Sequence, residues 1–186
     1  RTLTGSGAAS WWYPNQVGVG WADLVGNVWE WVGGLRVTGG EVQVIADNDA
    51  VNADMSAGSA AWHAVLQDGS LVAPGTADTL KTDATASPGS TLRWNTTVEF
   101  AGDGSSNVNQ QMQSVGAAAG VVVPAVLKRL VLAPCPLTSS VGRFYSHTSG
   151  EGLGPRGGTW NYNSSAGRAA VNLNYSRGAR STYIGA

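Results

Sequence analysis

Glycine constrains this chain more than any other residue. Twenty-six of its 186 residues are Gly, about twice the ordinary share, and they fall with Ser, Asn and Asp between short apolar runs. Such punctuation predicts a loop-rich fold of short strands. Hydrophobic residues at 42% and eight Trp supply a core, and the length suits a single domain spanning residues 1–186 that needs no covalent staples. Charged residues are only 12% and the net charge is -1, so the basic excess that nucleic-acid binding requires is missing. The single cysteine, Cys135, rules out an internal disulfide framework and any multi-cysteine metal cluster. Between Pro134 and Pro136 it reads as a packed or half-exposed thiol. No apolar run approaches the ~20 residues of a membrane span, so no membrane insertion is expected. The chain opens on Arg1 rather than Met and reads as the C-terminal part of a longer protein.

Local signals place several elements. Asn27 to Val32 alternates around Val28, Trp29 and Trp31, and Leu35 to Val37 is set to pair with Val42 to Ile45 across Thr38-Gly39-Gly40 as a hairpin. Glu30, between two Trp, fits either a solvent-facing strand position or a buried carboxylate tied to backbone donors. Leu92, Trp94, Thr96, Val98 and Phe100 form one alternating face. Two stretches read as helical, 107–119 and, better, 124–132, where Pro124 suits a first helical position, Val126, Leu127 and Leu130 make a stripe, and Pro134 stops it. Trp11, Trp12 and Tyr13 read as core anchors of a long loop more than as a stacking platform. Asp47, Asn48, Asp49, Asn52 and Asp54 offer oxygens to a hard cation such as Ca²⁺ but lack a calcium loop's spacing, so turn chemistry is the simpler account. His63 and His147 have no ligand partners at suitable spacing and read as structural histidines. No metal and no cofactor are expected. Asn95-Thr96-Thr97 has the form of a glycosylation acceptor.

The end of the chain has a different character. Of the 25 residues from 159 to 183, 13 are Asn, Ser, Thr or Tyr, and none is Asp, Glu, Lys or His. The block therefore has hydrogen-bonding capacity and aromatic area without a side chain fitted for general base chemistry near neutral pH. Antibody paratopes have a similar composition, with Tyr giving rigid contact area and Ser, Gly and Asn adapting their hydrogen bonds. A polar, disordered tail is the plainer alternative. Against it, Trp160, Ala169, Ala170, Val171, Leu173 and Ile184 interrupt the polar run as anchors would.

GNVWEW at 26–31, RGGTW at 156–160 and an IG near the end resemble the C-type-lectin-like fold shared by formylglycine-generating enzymes and the variable proteins of diversity-generating retroelements. RGGTWNYNSSAGRAAVNLNYSRGARSTYIG is more specific. It resembles the variable repeat of bacteriophage and bacterial retroelement targets. The likeness runs from about Gly20 to the end, though the chain stops at Ala186 where the family continues with Phe and Arg. In that family, adenines of AAC codons are randomised, which turns Asn into Tyr, Ser, Thr, Ala and others but never into Lys, Glu, Gln, Met or Trp. Thr159, Tyr162, Ser165, Tyr175, Ala179, Ser181, Thr182 and Tyr183 stand where the repeat carries Asn. Gly178 and Arg180 stand where it carries Ser, and all ten are permitted products.

The resemblance implies an α+β, C-type-lectin-like fold: loop-rich, with short, mostly antiparallel strands and one or two helices, and a variable region at 156–186. Trp29, Trp31, Arg156, Gly157, Gly158 and Trp160 would build the scaffold, and Ala169, Ala170, Val171, Leu173 and Ile184 would face inward. The implied function is non-enzymatic binding of a protein or glycan on a cell surface, from a phage tail or the bacterial surface. Tyr162, Tyr175 and Tyr183 would be anchors, with Asn161, Asn163, Ser164, Asn172 and Asn174 as hydrogen-bonding partners. Arg168 and the substituted positions above complete the ligand-binding set. Whether Asn172 and Asn174 are varied or framework, and whether Arg168 is buried, stays open, as does the oligomeric state. The alternative is a formylglycine-generating-type oxidase homologue without activity, because that chemistry uses a cysteine pair where this chain has Cys135 alone.

Overall fold

A computed structural model describes residues 28–86, 91–100, 106–134 and 142–185. The aromatic triplet at 11–13 and Cys135 lie outside the described residues.

Among the described residues, twelve strands form one mixed sheet: β1 (Trp29–Thr38), β2 (Glu41–Ile45), β3 (Trp62–Val65), β4 (Leu71–Val72), β5 (Lys81–Ala84), β6 (Leu92–Asn95), β7 (Asn107–Gln111), β8 (Gly116–Ala117), β9 (Arg143–His147), β10 (Glu151–Gly157), β11 (Gly167–Leu173) and β12 (Ile184–Gly185). The order is β7-β9-β11-β10-β1-β2-β5-β6-β8, with β12 beside β1, β3 beside β2, and β4 beside β3. Most pairings are antiparallel; β1 with β12, β9 with β11 and β6 with β8 are parallel.

The α+β, C-type-lectin-like expectation is overturned by this strand-dominated architecture. The described helical structure amounts to α1 (Ala125–Arg129) and three-residue 3-10 turns. Two physical causes account for the error. Residues 107–119, read as helical, are strand and turn, because β7 pairs along its whole length with β9 and buries Val108 opposite Ser146; that pairing outweighs the helix preference of Gln and Met. The second segment is helical where expected and buries Leu127, but it closes after five residues with Pro124 as its N-cap. So short a helix contributes little without its packing.

The predicted hairpin is present. Leu35 pairs with Val44 and Thr38 with Glu41, leaving Gly39 and Gly40 as a two-residue turn with φ of 57° and 79°, the left-handed conformation such turns require. Beyond β2 the sheet curls until its two ends meet. Thr91 bridges to Asn109, the Thr82 and Ser146 hydroxyls lie 3.0 Å apart, and the Trp94 and Phe144 rings pack at 5.8 Å. Val37, Val42, Leu80, Leu92, Trp94, Phe144, Val171 and Leu173 fill the enclosed core, and Leu127 and Leu132 close it, with the Trp94 indole donating to the Leu132 carbonyl.

The centre of the sheet is unusually close-packed. A β-carbon at Gly152 would collide with the Leu173 carbonyl, and one at Gly154 with the Leu173 side chain. These glycines let β10 lie against the end of β11. β1 serves both halves of the molecule: its C-terminal part pairs with β2, and its N-terminal part carries Trp29 and Trp31 to β12 and the end of the chain.

Candidate functional site

The site grows from the N-terminal half of β1. Trp29 is fully buried and its backbone N–H donates to the Tyr183 carbonyl at 2.7 Å. Around its indole stand Tyr162 at 5.7 Å and Tyr145 at 6.4 Å, themselves 6.0 Å apart, all three contacts close to perpendicular. Edge-to-face contacts of this kind add about 0.5–1.5 kcal/mol each beyond area burial. Trp31, next on the same side of β1, packs edge-on against Tyr175 at 6.2 Å. Burial pushes the Tyr145 and Tyr175 hydroxyls up from their ordinary range. Among the described residues the Trp29 indole N–H finds no partner.

Two loops stand on this aromatic base. The first, 158–166, is tied at its foot: Gly158 has φ +85°, and a β-carbon there would lie 2.7 Å from Ala166. Its turns are held by Tyr162 N–H to Thr159 O, Ser165 N–H to Tyr162 O and Ala166 N–H to Asn163 O. The second, 174–183, is clamped by Arg177. Its Nε and Nη2 each donate to Glu151 at 2.8 Å, and its Nη1 donates to the Met55 carbonyl at 2.6 Å. Glu151 also accepts from Arg36, whose guanidinium sits 4.3 Å over the Trp62 ring. The paired guanidinium of Arg177, ahead of that of Arg36, holds the Glu151 carboxyl below its usual range.

On this frame the expected site residues separate. Asn161, Asn163, Arg168, Gly178, Arg180, Ser181, Thr182 and Tyr183 are exposed, and Tyr162, Ser165, Asn174, Tyr175 and Ala179 are part-buried. Ser164 lies in the 3-10 turn Asn163–Ser165. Two expected contact residues are not available. Thr159 is 1% exposed, with its hydroxyl on Asn161, and Asn172 is 6% exposed, with its side-chain oxygen accepting from the Asn174 N–H. Thr159 directly follows the Gly158 turn, and Asn172 lies in β11, flanked by β9 and β10. Arg168, whose burial was open, is exposed. Trp160 departs from its scaffold role: it is 70% exposed. Ala169, Ala170, Val171 and Leu173 are buried as expected, and Ile184 only in part. Glu30 is part-buried, opposite Arg156 in the strand register.

Sequence reasoning missed Tyr145 and Arg177. Tyr145 carries a weak signal, the alternation of RFYSH. Arg177 carries none, since its partner Glu151 is 26 residues away. The oxygen-rich loop behaves as turn: Asp47 and Asn48 have positive φ, Asn52 donates to Asp49, and Ser56 donates to Asp54. Among the described residues, no helix is long and apolar enough to cross a membrane.

No family model matches this chain, and no curated protein matches it.

Proposed function

We propose that residues 156–186 are a retroelement-diversified recognition surface, displayed on a phage tail or a bacterial surface, that binds a protein or glycan on a cell without chemistry. The observation that carries this reading is the division of labour in the terminal block. Its backbone is fixed by the Gly158 turn, the Arg177 clamp and the strand contacts of Trp29, while Trp160, Asn161, Asn163, Arg168, Arg180, Ser181, Thr182 and Tyr183 project outward. Side chains so placed can be exchanged without disturbing the core, which is what function on loops over a rigid body requires.

In this mechanism Trp160 and Tyr183 supply apolar contact area, the amides and hydroxyls supply adaptable hydrogen bonds, and Arg168 and Arg180 draw in an acceptor-rich partner. Display in many copies raises avidity without new contacts. Sequencing the gene across isolates tests the reading. Changes confined to adenines and concentrated in codons 159–183, beside a near-identical repeat and a reverse transcriptase, are expected. Changes spread evenly along the gene would sink it.

A further inference from the structure

The recognition surface leaves unused a cavity of about 380 Å³ in the body of the fold. It forms where β1 loses register with β10 between Trp31 and Arg36. The displaced residues include Gly33 and Gly34, and a β-carbon at Gly34 would meet that of Ala50 at 2.9 Å. Val32, Leu35, Ile45, Leu71, Val126 and Leu130 give the cavity apolar walls. Asp47 and Asn48, both exposed, mark its rim, and Arg156 is the one basic residue in its lining.

Arg156 is the unusual part. Its Nη2 donates to the Leu130 carbonyl at 2.5 Å and its Nη1 reaches the Val131 carbonyl only at 3.5 Å. Leu130 itself forms part of the cavity wall, so the guanidinium is held beside that wall. Glu30 faces it across the strand register, yet among the described residues no carboxylate forms an ion pair with Arg156. Burial without a counter-ion pulls its pKa down to about 10. A guanidinium has five N–H donors in a planar fork suited to a carboxylate, and two carbonyls do not exhaust them.

We propose that this cavity binds a small monocarboxylic acid with an apolar body, its carboxylate meeting Arg156 and its hydrocarbon lying between the β1 bulge, Leu71 and α1. The volume falls in the range of small-molecule sites, about 300–1,000 Å³, which suits a medium-chain or aromatic acid. A phosphate ester fits less well, since one guanidinium gives a dianion too few donors. A second acidic group is disfavoured by Asp47 at the rim.

Calorimetric titration of the whole chain with octanoate, octan-1-ol and octyltrimethylammonium tests this. Octanoate is expected to bind one to one, octanol at least about tenfold more weakly, a difference matching one charge-assisted contact, and the cation not at all. Arg156→Gln should bring octanoate down to the level of octanol. Because Arg156 also holds two carbonyls, Leu71→Trp gives a second arm. Leu71 is 37% exposed at the mouth, so the variant should fold, verified by its circular dichroism, and lose octanoate binding. Absence of octanoate binding, equal affinity for octanoate and octanol, or unchanged binding in Leu71→Trp would each overturn the proposal. None of these results bears on the exposed side chains between 160 and 183 on which the recognition reading rests.

Discussion

Asp83 and Glu151 both anchor arginine in this fold, and they do so under opposite conditions. Asp83, in β5, is fully buried and accepts from Arg93 Nε and Nη2, from Asn95 Nδ2 and from the Glu99 and Phe100 backbone N–H groups. Its side chain has no exposed area, while that of Glu151 is 23% exposed and, among the described residues, accepts from Arg36 and Arg177. The buried carboxylate organises the β5–β6 region, and the wetter one fastens the 174–183 loop onto β10. The same pair of ion types thus serves a fixed body in one place and a detachable strap in the other. Desolvation makes the difference: a buried partner lost leaves stranded donors, whereas a wet one lost is replaced by water.

The contrast breaks most visibly at Asp83. Replacing it with Ala should cost about 3–5 kcal/mol, as loss of one partner of a buried ion pair does, read as a lower urea midpoint; a loss below about 1 kcal/mol would remove the distinction. Next comes Gly158→Val, which forces a β-carbon onto Ala166 in a left-handed conformation. About 1–3 kcal/mol is expected for that strain, measured by thermal unfolding. Arg177→Ala should cost no more than about 1 kcal/mol globally while speeding amide exchange at Ala179 and Ile184, whose N–H groups donate within the clamped loop. Unchanged exchange there would show that Arg177 holds nothing.

Acidification sharpens the same point. Because the folded-state pKa of Glu151 is depressed, its stabilising contribution is complete above the unfolded carboxylate value, about 4.3, and is lost as pH falls through the lower folded value. Glu151→Gln should flatten that part of the pH–stability curve relative to the parent, and identical acid limbs would contradict the assignment. Smallest of all, Trp160→Ser should move stability by no more than about 0.5 kcal/mol, measured by thermal unfolding; on the proposed binding role the same change would weaken cell attachment. A large stability loss would place Trp160 in the framework instead.

How much of this was legible depended on distance along the chain. The 35–45 hairpin could be read because its apolar alternation and its double-glycine turn are local. The position of α1 could be read from Pro124 and the Val126, Leu127, Leu130 stripe, but its length could not, since nothing local shows where packing stops. β7 was illegible: Asn-Val-Asn-Gln-Gln has no strand signature until β9 lies beside it. β4, β8 and β12, two residues each, are too short to hold a period. The α+β expectation came from the resemblance and failed, whereas Ala169, Ala170, Val171 and Leu173, expected inward on that same resemblance, are buried, with Asn172 buried among them against expectation. Tyr145 and Arg177 are defined by partners remote in sequence, and composition cannot announce such neighbours.

Tyr162, part-buried, meets the rings of both Trp29 and Tyr145 edge to face. A small residue at that position would change relief as well as chemistry, because it would remove a ring that packs against the buried Trp29. On the proposed reading, a face built this way would vary in shape and not merely in letters, one exchanged codon turning a ridge into a socket.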